Sequence, residues 1–571
     1  MLEKALEILK RNSLAAILIV LGTISWSLTM VKSGLIYDYG MGFWGPNGHD
    51  GIWHIALVKS LLRGSLEMPV FAGEAIKNYH IGFDLLMAWL SKISGINPIT
   101  LYFQIIPPIL ALGIGILTYK LVLEWQGSKA QGLWATFFVY FGGSFGWIVN
   151  LIRTGELGGE SMFWAQQGIS TLLNPPFALS LVIMLLGLVT LTKYLKKPTF
   201  LSFLPPFLLF GILIQIKAYA GILSLGALLA SGVLRLIKQK KTDILFVFLG
   251  STALSVLLFL PLNKGAQGLL VFQPLWFLET MMGIPDRVGW DRFYSAMTNY
   301  RSGGILFKGT LAYLVAFAIF WFGNLGTRAV KEILVFRWLK KPALIGWLEA
   351  FFIAVVLAGV AIPMFFLQKG TPWNTIQFVY YSLFVSGILA GHVIGEVFEK
   401  RGNLSKWAIG VLVVLTIPTT IGTLQHYLPI RPPAMISKSE LAALEFLSMQ
   451  PSGVVLTYPF DSAKAKEAEA NPPRPLYLYE STAYVSALSG QSVYLEDQVN
   501  LDITGYSWGE RRNDVKSFLE SSDDEFPRNF LRQNNISYVY FLRGQRAVKG
   551  EGQLGMSRIF ENDFVEIFKV D

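Results

Sequence analysis

About eleven apolar runs, each near the roughly 20 residues that an α-helix needs to cross hydrocarbon, follow one another along this chain. They lie at roughly 14–31, 99–123, 131–152, 172–192, 199–216, 219–236, 243–262, 305–323, 345–367, 373–396 and 406–425. Inside a bilayer no water is present to satisfy backbone N–H and C=O groups, so such runs fold as helices. The pattern leaves little choice of class: a polytopic α-helical membrane protein, here with a small soluble α/β domain after the last run.

Charge between the runs predicts an orientation. Lys4, Lys10 and Arg11 precede the first run and place the N-terminus in the cytoplasm. A signal peptide is the other reading of that start, but no small-residue cleavage site follows, so the run reads as an uncleaved helix. Counting alternate loops then gathers the basic ones on one side: Lys129; Lys193, Lys196 and Lys197; Arg235, Lys238, Lys240 and Lys241; 328–341; Lys400 and Arg401. The same count puts the tail outside, as expected of a multi-pass protein of the plasma membrane. The net charge of +10 is absorbed by these loops and calls for no nucleic-acid partner. There are no cysteines, which excludes disulfides, thiolate metal sites and a cysteine nucleophile.

Three segments on the opposite side are too long for plain connections. These are 32–98, 153–171 and 263–304, and amphipathic helices on the membrane surface would account for all three. Helical patterns fall at 49–62 and 81–93 within the first. From about 438 the charge rises, with strand-like runs at 454–458, 492–495, 537–542 and 564–570 and helical patterns at 437–449, 510–520 and 524–533. Ser437 with Glu440 fits a capping box. Strand and helix alternation there indicates a small α/β domain, so the chain divides into 1–425 and 426–571.

The residues able to carry chemistry cluster in the first external segment. Its motif reads Gly48-His49-Asp50-Gly51-Ile52-Trp53-His54. Asp50 and His54, four apart, share a helix face. A carboxylate at the membrane surface can take a proton from a hydroxyl, or His49, Asp50 and His54 can ligate a cation. The plain alternative is an Asp that caps the helix. Lys77 and His80 stand at head-group level in Lys77-Asn78-Tyr79-His80, where simple interfacial anchoring competes with binding. Lys217, Arg301 and Lys369 collect at the external boundary, where the positive-inside rule disfavours cations, and they suit an anionic head group such as a phosphate.

These features together resemble the GT-C superfamily of membrane glycosyltransferases. The likeness is carried by His49-Asp50-Gly51-Ile52-Trp53-His54, by Tyr79-His80-Ile81-Gly82-Phe83 leading into a second interfacial helix, and by the span pattern over 1–425. The tail looks like that of prokaryotic relatives at 484–490, 494–497, Glu510-Arg511-Arg512 and 536–540. The chain departs from the oligosaccharyltransferase branch, since it has no Trp-Trp-Asp-Tyr-Gly motif, and from metal-dependent members, since its first loop has no Asp-X-Asp.

The resemblance implies a polyprenyl-phosphate sugar as donor and a hydroxyl of a glycan, lipid or protein as acceptor. Asp50 would be the general base and His54 would orient Asp50 or the sugar. Attack would invert the anomeric carbon, and Lys369, Arg301, Lys217 and Lys77, in falling order, would stabilise the departing lipid phosphate. No cofactor is required on this reading, with a divalent metal left open. Three competing readings are a lipid-linked polymer ligase, a transporter or flippase, and a non-catalytic scaffold for envelope polysaccharide; a repeat of the kind transporters show is not apparent.

Overall fold

The computed structural model describes residues 12–265, 269–400, 402–521, 524–543, 545 and 554–571. Lys4, Lys10, Arg11 and Arg401, used above for orientation, lie outside the described residues. Every apolar run contains helix. Seven helices among the described residues are long and apolar enough to cross a membrane: Pro98–Gln126, Pro175–Lys196, Ala218–Gln239, Leu306–Lys340, Trp347–Phe365, Pro372–Glu399 and Lys406–Tyr427. Lys129–Phe141 and Gly146–Thr154, bent by 42° at their junction, make an eighth if the pair is one span. Ser13–Ser27, Phe200–Ile216 and Asp243–Phe259 are apolar but shorter, so the helices by themselves do not establish the expected eleven spans.

Local chemistry sets several helix ends. Asn174 accepts from the Phe177 N–H ahead of Pro175–Lys196, which begins with two prolines where a missing N–H costs nothing. Thr199 and Ser202 form a capping box at Phe200–Ile216. Lys217 takes an extended conformation and breaks that helix from Ala218–Gln239, the tight hairpin expected from the sequence.

Contacts divide the chain into two compact units that do not follow chain order. One holds Met1–Thr29, Pro107–Pro261 and Gly268–Tyr427 and contains most of the apolar helices. The other joins Met30–Ile106 and Leu262–Gln267 to Leu428–Asp571.

Backbone pairing explains why the first external segment belongs with the C-terminal region. A four-stranded sheet runs in the order Leu35–Tyr37, Gly40–Phe43, Ala434–Ser437, Arg474–Pro475. Gly40 pairs with Ser437 in antiparallel register. Its φ of +130° is open to glycine alone, and a Cβ there would lie 2.0 Å from the Ile436 carbonyl oxygen. Further on, the Ala72 N–H donates to Val493 O (2.9 Å) and the Val493 N–H to Pro69 O (2.7 Å). The second sheet has the order Met556–Glu561, Val565–Val570, Ile536–Leu542, Val454–Thr457, Ser492–Val493. Its last three strands are mutually parallel and the first three antiparallel. The helices Lys438–Ser448, Gly509–Glu520 and Glu525–Gln533 stand where the pattern predicts them, the first capped by Ser437 and Glu440.

The segment 153–171 departs from expectation. It forms no surface helix and instead folds into the helical unit, with Glu160 and Gln167 buried. Glu160 accepts from the Gln167 N–H and the Ser170 hydroxyl (2.6 and 2.8 Å). Arg328, counted above as a loop cation, is buried too, donating to Gln167 and to the carbonyls of Asn324 and Leu325. A buried guanidinium needs this full set of acceptors. The 263–304 segment does form two helices, Trp276–Gly283 and Asp291–Ser302.

Candidate active site

The helix Asp50–Leu62 begins at Asp50 itself. Its N-cap is His49, with no side-chain cap bond, so Asp50 does not play the capping role that competed with catalysis. The side chain is exposed, while Gly51 to Val58 behind it are buried. Among the described residues no hydrogen-bond donor is committed to its carboxylate, which stands in the first turn where the helix dipole favours negative charge.

Two contacts fix this helix start. The His49 ring bonds the Ser481 hydroxyl through Nδ1 and meets the Tyr479 ring edge-on at 4.5 Å. Burial lowers the His49 pKa; nearby Arg474 lowers it further and Asp50 opposes both. One turn on, His54 is buried and its Nδ1–H donates to Asp84 Oδ1 at 2.7 Å. The structure therefore pairs His54 with Asp84 rather than with Asp50. Tyr102 stacks on the His54 ring at 5.7 Å, and Phe83 and Tyr79 complete an aromatic box.

Asp84 lies on the helix Gly82–Ser94, the second interfacial helix expected from the sequence. That helix buries Phe83, Asp84, Met87, Ala88 and Ser91 and exposes Leu85, Trp89 and Ile93. An exposed apolar stripe at i, i+4, i+8 suits a helix lying at a membrane surface. Asp84 is a functional candidate that sequence reasoning missed. Its signal was there: one carboxylate inside an apolar helix, a placement that demands a partner.

Lys77 and His80 belong to the same unit. The Lys77 ammonium sits 4.3 Å above the Tyr506 ring, and its backbone N–H donates to the Tyr506 hydroxyl at 3.1 Å. His80 stacks on Tyr79 at 4.7 Å. Among the described residues no group of three His, Asp or Glu side chains is placed to hold a metal ion.

Carboxyl groups of the C-terminal region complete the local electrostatics. Burial raises Asp497 to about 7 against its bonds to Asn500, and the charges of Asp50 and Glu480 push the same way. Burial raises Glu496 to about 8, although the Val485 and Ser486 N–H groups donate to it (both 3.1 Å). Glu440 is raised to about 7 for the same reason. Carboxyls with raised values hold protons in the folded state that the unfolded chain has already lost. Stability contributed by them is present below the ordinary carboxylate range and is lost as pH rises towards 7–8. The urea midpoint for protease cleavage within 434–571 is expected to be higher near pH 5.5 than near pH 8.5; an equal or reversed order would mean these groups are ionised in the folded chain.

The other three cations belong to the helical unit. Lys217 is buried, donates to Asn174 Oδ1 at 3.3 Å, and lies 5.6 Å from the Tyr219 ring centre. The Tyr219 hydroxyl donates to Gln368 Oε1 (3.3 Å), and the next residue is Lys369. Lys369 has its backbone tied to Leu269 O (2.8 Å) beside the short ribbon of Leu270–Phe272 and Phe366–Gln368, and its side chain is exposed. Arg301 is already matched: its guanidinium pairs with Glu279, which also accepts from the Tyr313 hydroxyl.

No family model matches the chain, and no curated protein does. Solved structures do. The archaeal oligosaccharyltransferase AglB from Archaeoglobus fulgidus, in complex with an inhibitory peptide and a dolichol-phosphate, matches over 93% of this chain and 69% of its own, with TM-score 0.51 and 13% identity. The arabinofuranosyltransferase AftD from Mycobacteria matches over 97% of this chain and 40% of its own, with TM-score 0.49 and 11% identity. At such identities the likeness is one of fold alone: the chain shares the fold of AglB.

Proposed function

We propose that the chain is a membrane glycosyltransferase. It moves a sugar from a polyprenyl-phosphate donor to a hydroxyl of a glycan, lipid or protein acceptor, on the extracytoplasmic face and with inversion. The observation that carries this reading is Asp50: an exposed, uncommitted carboxylate held at a helix start by His49–Ser481 and by the buried His54–Asp84 pair. A base that is fixed in place but open to solvent suits proton abstraction from an incoming hydroxyl. The acceptor oxygen gives its proton to Asp50 and bonds to the anomeric carbon. The bond from that carbon to the phosphate oxygen breaks, and its electron pair leaves with the lipid phosphate.

The leaving group is anionic, so a nearby cation lowers the barrier. Within the helical unit Lys369 suits that role better than Arg301, whose charge Glu279 already offsets. A dolichol-phosphate bound to AglB supports a lipid phosphate as the ligand class. His54 and Asp84 act as positioning residues.

Membranes containing the chain, offered a panel of radiolabelled polyprenyl-phosphate sugars, test this reading. Label is expected to move from the lipid to a glycan, glycolipid or glycoprotein product, with free lipid phosphate released. Label that crosses the bilayer while remaining on its lipid would replace the proposal with a flippase, and label unmoved across the panel would end it.

A further inference from the structure

A pocket lies wholly within the unit that carries Asp50. The strands Val454–Thr457, Ser492–Val493 and Ile536–Leu542 run parallel, and the chain leaving their carboxyl ends lines one open pocket. Thr457 and Tyr458 come from the first strand, Leu495 to Gln498 from the second, and Tyr540 and Gln545 from the third. In sheets of parallel strands this edge is where ligands bind, because the loops diverge there and leave a crevice. The empty space, its mouth included, is about 470 Å³, a size that takes a single small ring.

The chemistry of the walls narrows the ligand. Tyr458, Phe460, Tyr477 and Tyr479 contribute aromatic side chains to the lining. Glu480, Thr482 and Gln498 supply polar atoms, and among the described residues no Lys or Arg lines the pocket, so those residues offer an anionic ligand no countercharge. Thr482 and Gln498 are buried, yet Thr482 Oγ1 and Gln498 Oε1 have no hydrogen-bond partner among the described residues. Buried polar atoms are nearly always paired, so two orphans on one pocket point to a ligand that pairs them. Asp497, on the same wall, adopts φ +49°, a conformation non-glycine residues keep where local structure demands it. Burial raises Glu496 to about 8 and Asp497 to about 7, which lessens the negative charge on this wall near neutral pH and favours a neutral polyol over a cation.

We propose that this pocket binds a neutral sugar ring, its apolar face against the tyrosines and its hydroxyls on Thr482 and Gln498. Ser481, between two pocket residues, bonds His49, the neighbour of Asp50. The bound ring is therefore a unit of the acceptor, held beside the base. That last assignment rests on the proposed function; binding itself does not.

Saturation-transfer NMR on the full chain in detergent separates the two. The probes are methyl α-mannopyranoside, methyl β-glucopyranoside, spermidine and inorganic phosphate. At least one glycoside is expected to bind. Tyr458→Ala is expected to weaken it at least tenfold, and Thr482→Val with Gln498→Leu, which keep side-chain shape, to weaken it comparably. Binding of spermidine or phosphate alone, binding of none, or equal binding by wild type and both variants would each overturn the pocket assignment. Glycoside binding without transfer from any donor would leave the pocket standing and remove the enzyme, and transfer without glycoside binding would do the reverse.

Discussion

Transfer is expected to fall by roughly 10²–10⁴-fold when Asp50 becomes asparagine, the range set by loss of a positioned general base. The substitution keeps size and planarity. Asp50 is exposed and makes no side-chain bond among the described residues, so no such bond is lost with its charge. The variant should therefore accumulate like wild type, and lost transfer reads directly as lost chemistry. Asp84→Asn gives the contrast. It leaves the His54 ring facing an amide instead of a carboxylate in a fully buried setting, and a buried partner removed in this way costs stability as well as rate. Its transfer should fall less than that of Asp50→Asn while its unfolding midpoint falls more. Radiolabel transfer at matched protein level, beside urea unfolding, separates the two roles. Equal transfer by Asp50→Asn and wild type would put the base elsewhere.

The sequence speaks clearly wherever a local pattern decides the outcome. Runs of apolar residues became helices because a helix satisfies its own backbone, and Ser437 with Glu440 capped a helix because three residues suffice to make that box. The helix start at Asp50 was legible for the same reason. What the pattern does not contain is pairing across distance. Gly40–Phe43 meets Ala434–Ser437 in four-residue strands too short to register as strands at all. Hence the first external segment read as a surface loop of the helical part, although its backbone is knitted to the C-terminal region. Asp84 was passed over because its helix was read for its apolar face, and a partner on another helix, 30 residues earlier, was needed to give the carboxylate meaning. The burial of Arg328 was not legible because a charge rule counts cations without asking what surrounds them; Gln167 and the carbonyls of Gly143, Asn324 and Leu325 supply its acceptors there.

Gly391→Val is expected to abolish folded protein in detergent, and even Gly391→Ala to deplete it heavily. Gly387, Gly391 and Gly395 recur every fourth residue on the helix Gln377–Glu399, which packs along Lys129–Phe141. A Cβ at Gly391 would lie 2.1 Å from the backbone nitrogen of Ala135 and 2.2 Å from its Cα; at Gly395, 2.4 Å from the Cα of Gln131. These obstacles are main chain, so no rotamer change relieves them and the helices must separate. Separation breaks the bond of His392 Nδ1 with Gln131 Oε1 as well. The opposing effect is small: replacing glycine by alanine inside a helix gains about 1 kcal/mol of helix propensity. Overpacking typically costs about 1–3 kcal/mol, with the upper end expected where backbone meets backbone. In a membrane the loss weighs further, since close approach of small residues is itself what holds such helices together. Gly226, also within a helix, has nothing within 4 Å of its Cβ position, so Gly226→Val is the matched control and should behave as wild type. Size-exclusion profiles of the three variants decide the matter: a wild-type peak for Gly391→Val would mean that this helix pair does not approach through its glycines.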